Sequence, residues 1–283
     1  MAHEVIPVEI KNTSEHSSRT PIARKKKRIA IFITGLLILL VLIPVVVFRT
    51  VNENRGQPAL VMRVDDIQDF AFREAQLFLL NESMINQIPL SLAVIAGMFG
   101  ADREIVQTVK LAVSLGSEVA VHGWKHEDLT ELSSREQAVL LVQSRSRIKE
   151  VLDFDTRVLV PPAFSYNEGT LAAMHEAGYN IMSTSADVSE PGLISEVISL
   201  PATVELSDYS NGAWNMKSLD SVKAEISRSI QKFGFAVIVT HPQEFIAAGE
   251  LNQVNMELYR TLTSTLKENY SFKTLERLGE NWR

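Results

Sequence analysis

Leu60-Val61-Met62-Arg63-Val64-Asp65-Asp66 is the stretch whose reading decides the fold: an almost wholly apolar run that ends in two adjacent carboxylates. A run apolar on both faces fits a buried parallel strand, with Asp65 and Asp66 at its C-terminal end. Open sheets and barrels of the α/β class place their chemistry at that end. The pair admits a second reading, in which Asp66 caps a helix beginning near Ile67 and Asp65 is merely solvated. The rest of the chain has to decide between them.

Short apolar runs alternate with longer amphipathic ones from Ala59 onward. The pattern predicts strands at Ala59–Val64, Pro89–Ile95, Glu118–Val121, Arg157–Val160, Tyr179–Ser183, Val197–Leu200 and Phe235–Thr240. Helices are predicted near Phe70–Asn86, Arg103–Leu115, Ser134–Leu152, Gly169–Ala177, Leu219–Lys232 and Leu251–Glu268. Strand followed by helix, repeated about seven times, indicates a parallel α/β domain closed or nearly closed into a barrel, with a doubly wound open sheet as the alternative. There is no internal repeat and no Gly-rich phosphate loop.

Ahead of this domain, Ile29–Phe48 are twenty residues without a charge, preceded by Arg24-Lys25-Lys26-Lys27-Arg28 and followed by a single Arg49. Twenty apolar residues suffice to span a bilayer, and the basic flank puts the N-terminus in the cytoplasm. The long leader and the lack of a small-x-small cleavage site favour an uncleaved anchor over a signal peptide. The expected order is therefore a basic cytoplasmic tail (1–28), a transmembrane helix (29–48), a linker (49–57) and an outward-facing domain (58–283). The tail carries seven Lys/Arg and three Asp/Glu, a net +4; with −6 for the whole chain, residues 29–283 carry −10. Such a balance argues against nucleic acid as a partner. Cysteine is absent, which excludes thiolate metal sites and cysteine nucleophiles.

Several predicted strands end in polar residues on one rim: Asp65-Asp66, His122-Gly123-Trp124-Lys125-His126-Glu127, Pro161-Pro162-Ala163-Phe164 and Thr240-His241-Pro242. His122 and His126 are four apart, a spacing that lets two imidazoles face one ion, although ordinary loop histidines share it. With Asp66 they make two imidazoles and a carboxylate, a set that leaves positions open for water and substrate.

Asp65-Asp66, His122-x-x-x-His126, the Pro-Pro loop and the late strand-end His241 together resemble the polysaccharide deacetylases, the NodB-homology carbohydrate esterases, over roughly Ala59 to the C-terminus. The resemblance implies a distorted (β/α) barrel and metal-dependent removal of N-acetyl groups from a polysaccharide or oligosaccharide outside the membrane. It assigns Asp65 as general base, His241 as general acid, and Asp66, His122 and His126 as ligands of one divalent ion, with zinc the default for that set. Pro162, Phe164 and Tyr166 are the expected substrate-side residues, and a backbone N–H near Phe164 the expected oxyanion donor. Two departures stand out. The family's third motif carries an arginine that orients the base, and Val160 occupies that position here. Its fourth motif, an aspartate with a tryptophan, has only Asp187 and Trp214 as weak counterparts. A catalytically inactive glycan-binding protein and a metal-dependent hydrolase of a small amide or ester are the alternatives.

Overall fold

The computed structural model describes residues 57–282. The expected tail, the anchor and all but the last residue of the linker lie outside the described residues. Among those described, no helix is long and apolar enough to cross a membrane.

The strands are β1 (Ala59–Ile67), β2 (Leu90–Val94), β3 (Glu118–Val121), β4 (Val158–Leu159), β5 (Ile181–Met182), β6 (Gly192–Ile194), β7 (Val197–Ser199), β8 (Val204–Glu205), β9 (Ser207–Ser210), β10 (Ala213–Met216), β11 (Phe235–Thr240), β12 (Ile246–Ala247), β13 (Glu250–Leu251) and β14 (Ser271–Lys273). The helices are α1 (Arg73–Asn86), α2 (Arg103–Ser114), α3 (Ser134–Leu152), α4 (Glu168–Ala177), α5 (Leu219–Phe233), α6 (Gln253–Asn269) and the short α7 (Leu275–Gly279). The seven predicted strands correspond to β1–β5, β7 and β11, and the six predicted helices to α1–α6. The remaining pieces are two to five residues long, too short to carry a periodic signal.

Ten strands form one sheet in the order β6-β7-β5-β4-β3-β2-β1-β11-β8, with β14 also alongside β1. Every pair in it is parallel except β6–β7. The sheet curls because one extended segment works on both of its sides. β7 pairs with β5, Ala202 then bridges Ser185, and Val204–Glu205 pair with Ile238–Val239 of β11.

Strand alternation sorts the side chains into two cores. On β1, Leu60, Met62 and Val64 face the outer helices, whereas Val61 joins Ala93, Ala120, Val158, Ile181 and Val237 inside the curl. Each of these β1 residues is fully buried, a contribution of about 1.5–3 kcal/mol per large aliphatic side chain. Leu275 and Leu278 of α7 complete the inner cluster from the N-terminal edge of the strands. Buried Glu118 anchors that plug, accepting from the amides of Leu275 (2.8 Å) and Glu276 (3.0 Å) and from Ser91 Oγ (2.7 Å). The opposite, C-terminal edge is left for the site.

Candidate active site

The odd-numbered face of β1 runs Val61, Arg63, Asp65 into the interior, so the last two lie one above the other beneath the rim. Strict alternation would send Asp66 the other way. Instead the β1–β2 register shifts between Val64 and Ile67, and Asp66 adopts a left-handed φ of 62°. That irregularity turns two consecutive carboxylates toward one cleft. Asp66 is thus no helix cap: α1 starts only at Arg73, after Phe72.

β3 delivers the histidines. His122 is buried, and its Nδ1 lies 2.7 Å from the Val160 carbonyl, which can only accept. Nδ1 is therefore the donor to that carbonyl, which leaves Nε2 facing Asp66 Oδ1 at 3.4 Å. Gly123 follows with φ 74°, and a Cβ there would meet Pro162 Cγ at 3.0 Å and Glu127 Oε2 at 3.2 Å, so glycine suits both the turn and the contact. Glu127 pins the loop by accepting from the amides of Trp124 and Lys125. His126, again left-handed at φ 63°, brings its Nε2 within 3.3 Å of the same Asp66 oxygen.

One donor atom from each of Asp66, His122 and His126 lies within 4.8 Å of the others. Burial lowers the basicity of His126, and proximity to His122 lowers it further, which favours the neutral, ligating form. Burial opposes ionisation of Asp66, but the hydrogen bond and charge of His122 and a hydrogen bond from Gln243 Nε2 (2.8 Å) outweigh it, holding the carboxyl well below its usual range. Two imidazoles and a carboxylate facing one point, with Nδ1 of His122 already engaged by a backbone carbonyl, fit a divalent cation.

Asp65 and His241 come together because Val64 pairs with Thr240 in the β1–β11 register, which makes the following residues neighbours. Nε2 of His241 is 3.9 Å from Asp65 Oδ2. Each has its own support. Arg63, fully buried, makes a bidentate pair with Asp65 (Nε–Oδ1 and Nη2–Oδ2, both 2.8 Å). Its remaining nitrogen donates to Ser183 Oγ (2.8 Å), Ser183 O (3.0 Å) and Thr184 O (3.2 Å). His241 Nδ1 donates to buried Glu244 at 2.8 Å, and Glu244 also accepts from the His241 amide and Thr240 Oγ1. Burial works against the charged imidazole, but Glu244 and then Asp65 overcome it and push His241 up to about 9.

The cleft, about 300 Å³, is lined by these groups together with Ala163, Phe164, Glu205, Ser207, Trp214 and Gln243. Of the three expected substrate-side residues, Phe164 lines it, its ring 5.4 Å from the Arg63 guanidinium. Pro162 is buried, and Tyr166 packs against the outer core instead. The Phe164 amide closes the turn onto Pro161 O, which leaves the amide of Ala163 as the candidate oxyanion donor. Trp214, on the β9–β10 hairpin, stacks on His241 with ring centres 6.3 Å apart; Asp187 does not line the cleft. Trp124 packs against the outer core. Sequence reading missed Gln243, Glu244, Glu205 and Ser207, and it gave Arg63 no role. Arg63 had a signal, since i and i+2 on a strand share a face.

Residues 54–182 match the family model described as polysaccharide deacetylase. A search of curated proteins finds no matching relative. Similar solved structures include the Xyl-CE4 domain of a multidomain xylanase from the hindgut metagenome of Trinervitermes trinervoides (15% identity, 80% of this chain and 91% of that one, TM-score 0.55). A family 4 acetyl xylan esterase from Clostridium thermocellum in complex with a cobalt ion matches at 12% identity over 79% and 91% (TM-score 0.54). Peptidoglycan deacetylase PdaC from Bacillus subtilis matches at 15% over 80% and 91% (TM-score 0.53). Taken with the motifs brought together on the rim, these findings make residues 54–182 similar to the polysaccharide deacetylases and give the described residues the fold of these solved esterases and deacetylases.

Proposed function

We propose that the protein is a metal-dependent hydrolase that removes N-acetyl groups from a glycan, held at the cell membrane by Ile29–Phe48 with its domain outside. The observation that carries the chemistry is the meeting of a three-donor cation site with a separately supported carboxylate and imidazole. Asp66, His122 and His126 would hold the ion, zinc by the nature of the donors. A divalent ion there supplies Lewis acidity and a water of pKa lowered towards ~7.

The chain's own groups do the rest. Arg63 takes one lone pair from each Asp65 oxygen, so the carboxylate retains others to accept a proton from the attacking water. An amine leaves poorly unless protonated, and His241, charged by virtue of Glu244, can give its Nε2 proton to the departing nitrogen. Ala163 N–H can stabilise the oxyanion. The non-catalytic reading rested on the missing arginine, and the Arg63–Asp65 pair removes that support. The cobalt complex of the xylan esterase and the peptidoglycan deacetylase at the same fold are consistent with a metal and a glycan substrate.

The test is acetate release from N-acetylated oligosaccharides by zinc-loaded protein, with bound metal measured in parallel. Asp66→Ala, His122→Ala and His126→Ala are each expected to lose the ion. Asp65→Asn should keep it while acetate release falls by ~10²–10⁴-fold. A metal-replete protein that frees no acetate from any N-acetyl sugar would overturn the deacetylase reading.

A further inference from the structure

The two oxygens of Asp66 have different partners. Oδ1 is the one that faces both histidines, 3.4 Å from His122 Nε2 and 3.3 Å from His126 Nε2. Oδ2 instead takes a 2.8 Å hydrogen bond from Gln243 Nε2. An ionised carboxylate only accepts, so the amide has to present its NH₂ end to Asp66. That orientation has a cost. Gln243 Oε1 is buried and has no hydrogen-bond partner among the described residues. A buried acceptor without a donor is unfavourable, and an amide kept for packing alone would gain by turning that oxygen to solvent. The bond to Asp66 outweighs the loss.

Gln243 is also held in place. It is half-buried, in the 3₁₀ turn Pro242–Phe245 that follows β11. Glu244 accepts from the His241 amide (3.0 Å) and from Thr240 Oγ1 (2.7 Å), which ties the start of the turn. Buried Asn255 donates to Glu244 O (2.6 Å) and the Asn252 amide to Phe245 O (2.8 Å), which ties its end. One turn thus sets the His241 imidazole beside Asp65 and the Gln243 amide beside Asp66. Two adjacent carboxylates on β1 are met by two residues, two apart, after β11.

The chemical consequence lies in the number of donors. A carboxylate with both oxygens free can chelate through both, as large hard cations such as calcium favour. With Oδ2 reserved by an amide, Asp66 offers Oδ1 alone. Together with His122 and His126 that makes three donor atoms, the set of a zinc-type site with open positions. Hydrogen bonds of this outer kind orient a ligand and tune affinity.

We infer that Gln243 is a positioning residue for the cation site, which reserves Oδ2 of Asp66 and restricts that carboxylate to binding through Oδ1. The inference rests on the metal-dependent reading above and adds to it a residue that acts through Asp66 rather than on substrate.

The experiment compares the full-length wild type with Gln243→Leu and with Gln243→Met, two variants of similar bulk that lack the amide. It measures zinc affinity of the metal-free protein against a competing chelator, the visible bands of the cobalt-loaded form, and Tm without metal. Zinc affinity should fall about 10–100-fold in both variants at unchanged metal-free Tm. The cobalt bands should weaken as well, since an Asp66 free to use both oxygens raises the coordination number. Equal affinity and an unchanged cobalt spectrum in both variants would overturn the role of Gln243 while leaving the deacetylase reading intact. A fall in affinity that only follows a fall in metal-free Tm would make Gln243 a structural prop and overturn the inference too. A wild type that takes up neither ion would overturn the metal reading itself, and the inference with it.

Discussion

Arg63 is the residue whose substitution tests the site most sharply, because it links the interior core to the proposed base. It makes five hydrogen bonds and is fully buried, as is its partner Asp65 at 1% exposure. Arg63→Met leaves the Asp65 carboxylate in the interior with only His241, 3.9 Å away, to offset it. Removing one member of a buried ion pair costs about 3–5 kcal/mol. In a domain of this size that lowers Tm by very roughly 6–20 °C. The loss should come from the stranded charge, so Arg63→Met/Asp65→Asn is expected to be more stable than Arg63→Met alone. Arg63→Lys separates geometry from charge. An ammonium is a point donor and cannot bridge both carboxylate oxygens as the guanidinium does. That variant should fold and keep its metal, while kcat for acetate release falls about 10²-fold at little-changed KM, since the base is misaligned for proton transfer. Urea unfolding of wild type, Arg63→Met and Arg63→Met/Asp65→Asn, and steady-state kinetics of Arg63→Lys, supply the data. An Arg63→Lys enzyme with undiminished kcat, or an Arg63→Met protein within ~1 kcal/mol of wild type, would refute the reasoning.

Two further expectations concern pH. Glu244→Gln removes the main charge that raises His241, so the basic limb of the kcat profile, where the general acid loses its proton, should move to lower pH by about one unit or more; an unmoved limb would detach Glu244 from the acid. Burial, opposed by Ser91 and the amides of Glu276 and Leu275, pushes Glu118 up to about 7 from an ordinary 4.5. Because the folded state binds this proton more tightly than the unfolded one, its stabilising contribution is complete below about 4.5 and lost as pH rises through about 7. Glu118→Gln should flatten that part of the stability curve, which unfolding midpoints between pH 5 and 8 would reveal.

The parallel α/β pattern was legible because each long element carries a full period of its own. Ser134–Leu152 is bounded by the capping box of Ser133 and Glu136 and needed no tertiary information. The candidate cation site was legible because two histidines four apart at a strand end and an Asp-Asp strand end are local patterns. Glu205, Ser207 and Trp214 were not, since β8–β10 are short and reach the cleft only through pairing with β11 and the path of the chain. Glu244 lay three residues beyond His241, but only a tight turn folds that spacing back into a hydrogen bond, and Pro242 at its start was the sole hint. Phe164 lines the cleft, but a 3₁₀ turn consumes its own N–H, which leaves the N–H of neighbouring Ala163 for the donor expected near it.

The two supports of the proposed acid–base pair have one feature in common that bears on how the site is built. Arg63 sits two residues before Asp65 on the same strand, and Glu244 three after His241 in the same turn. β1 and β11 are hydrogen-bonded neighbours in register from Ala59↔Phe235 to Val64↔Thr240. Forming that single strand pair therefore brings together base, acid and both of their charge partners without help from the loop after β4. A valine at position 160 is then no defect. Its carbonyl engages His122 Nδ1, its side chain fills the inner core, and an arginine reaches Asp65 from β1 instead. The Pro161–Phe164 turn is left free to act as a wall, which is consistent with the left-handed φ of both Ala163 (50°) and Phe164 (58°) at the cleft. On this construction the order of dependence follows from the contacts. Disturbing the β1–β11 pair should disable proton transfer and stability together, whereas disturbing the turn should alter substrate fit and oxyanion stabilisation and leave the acid–base pair in place.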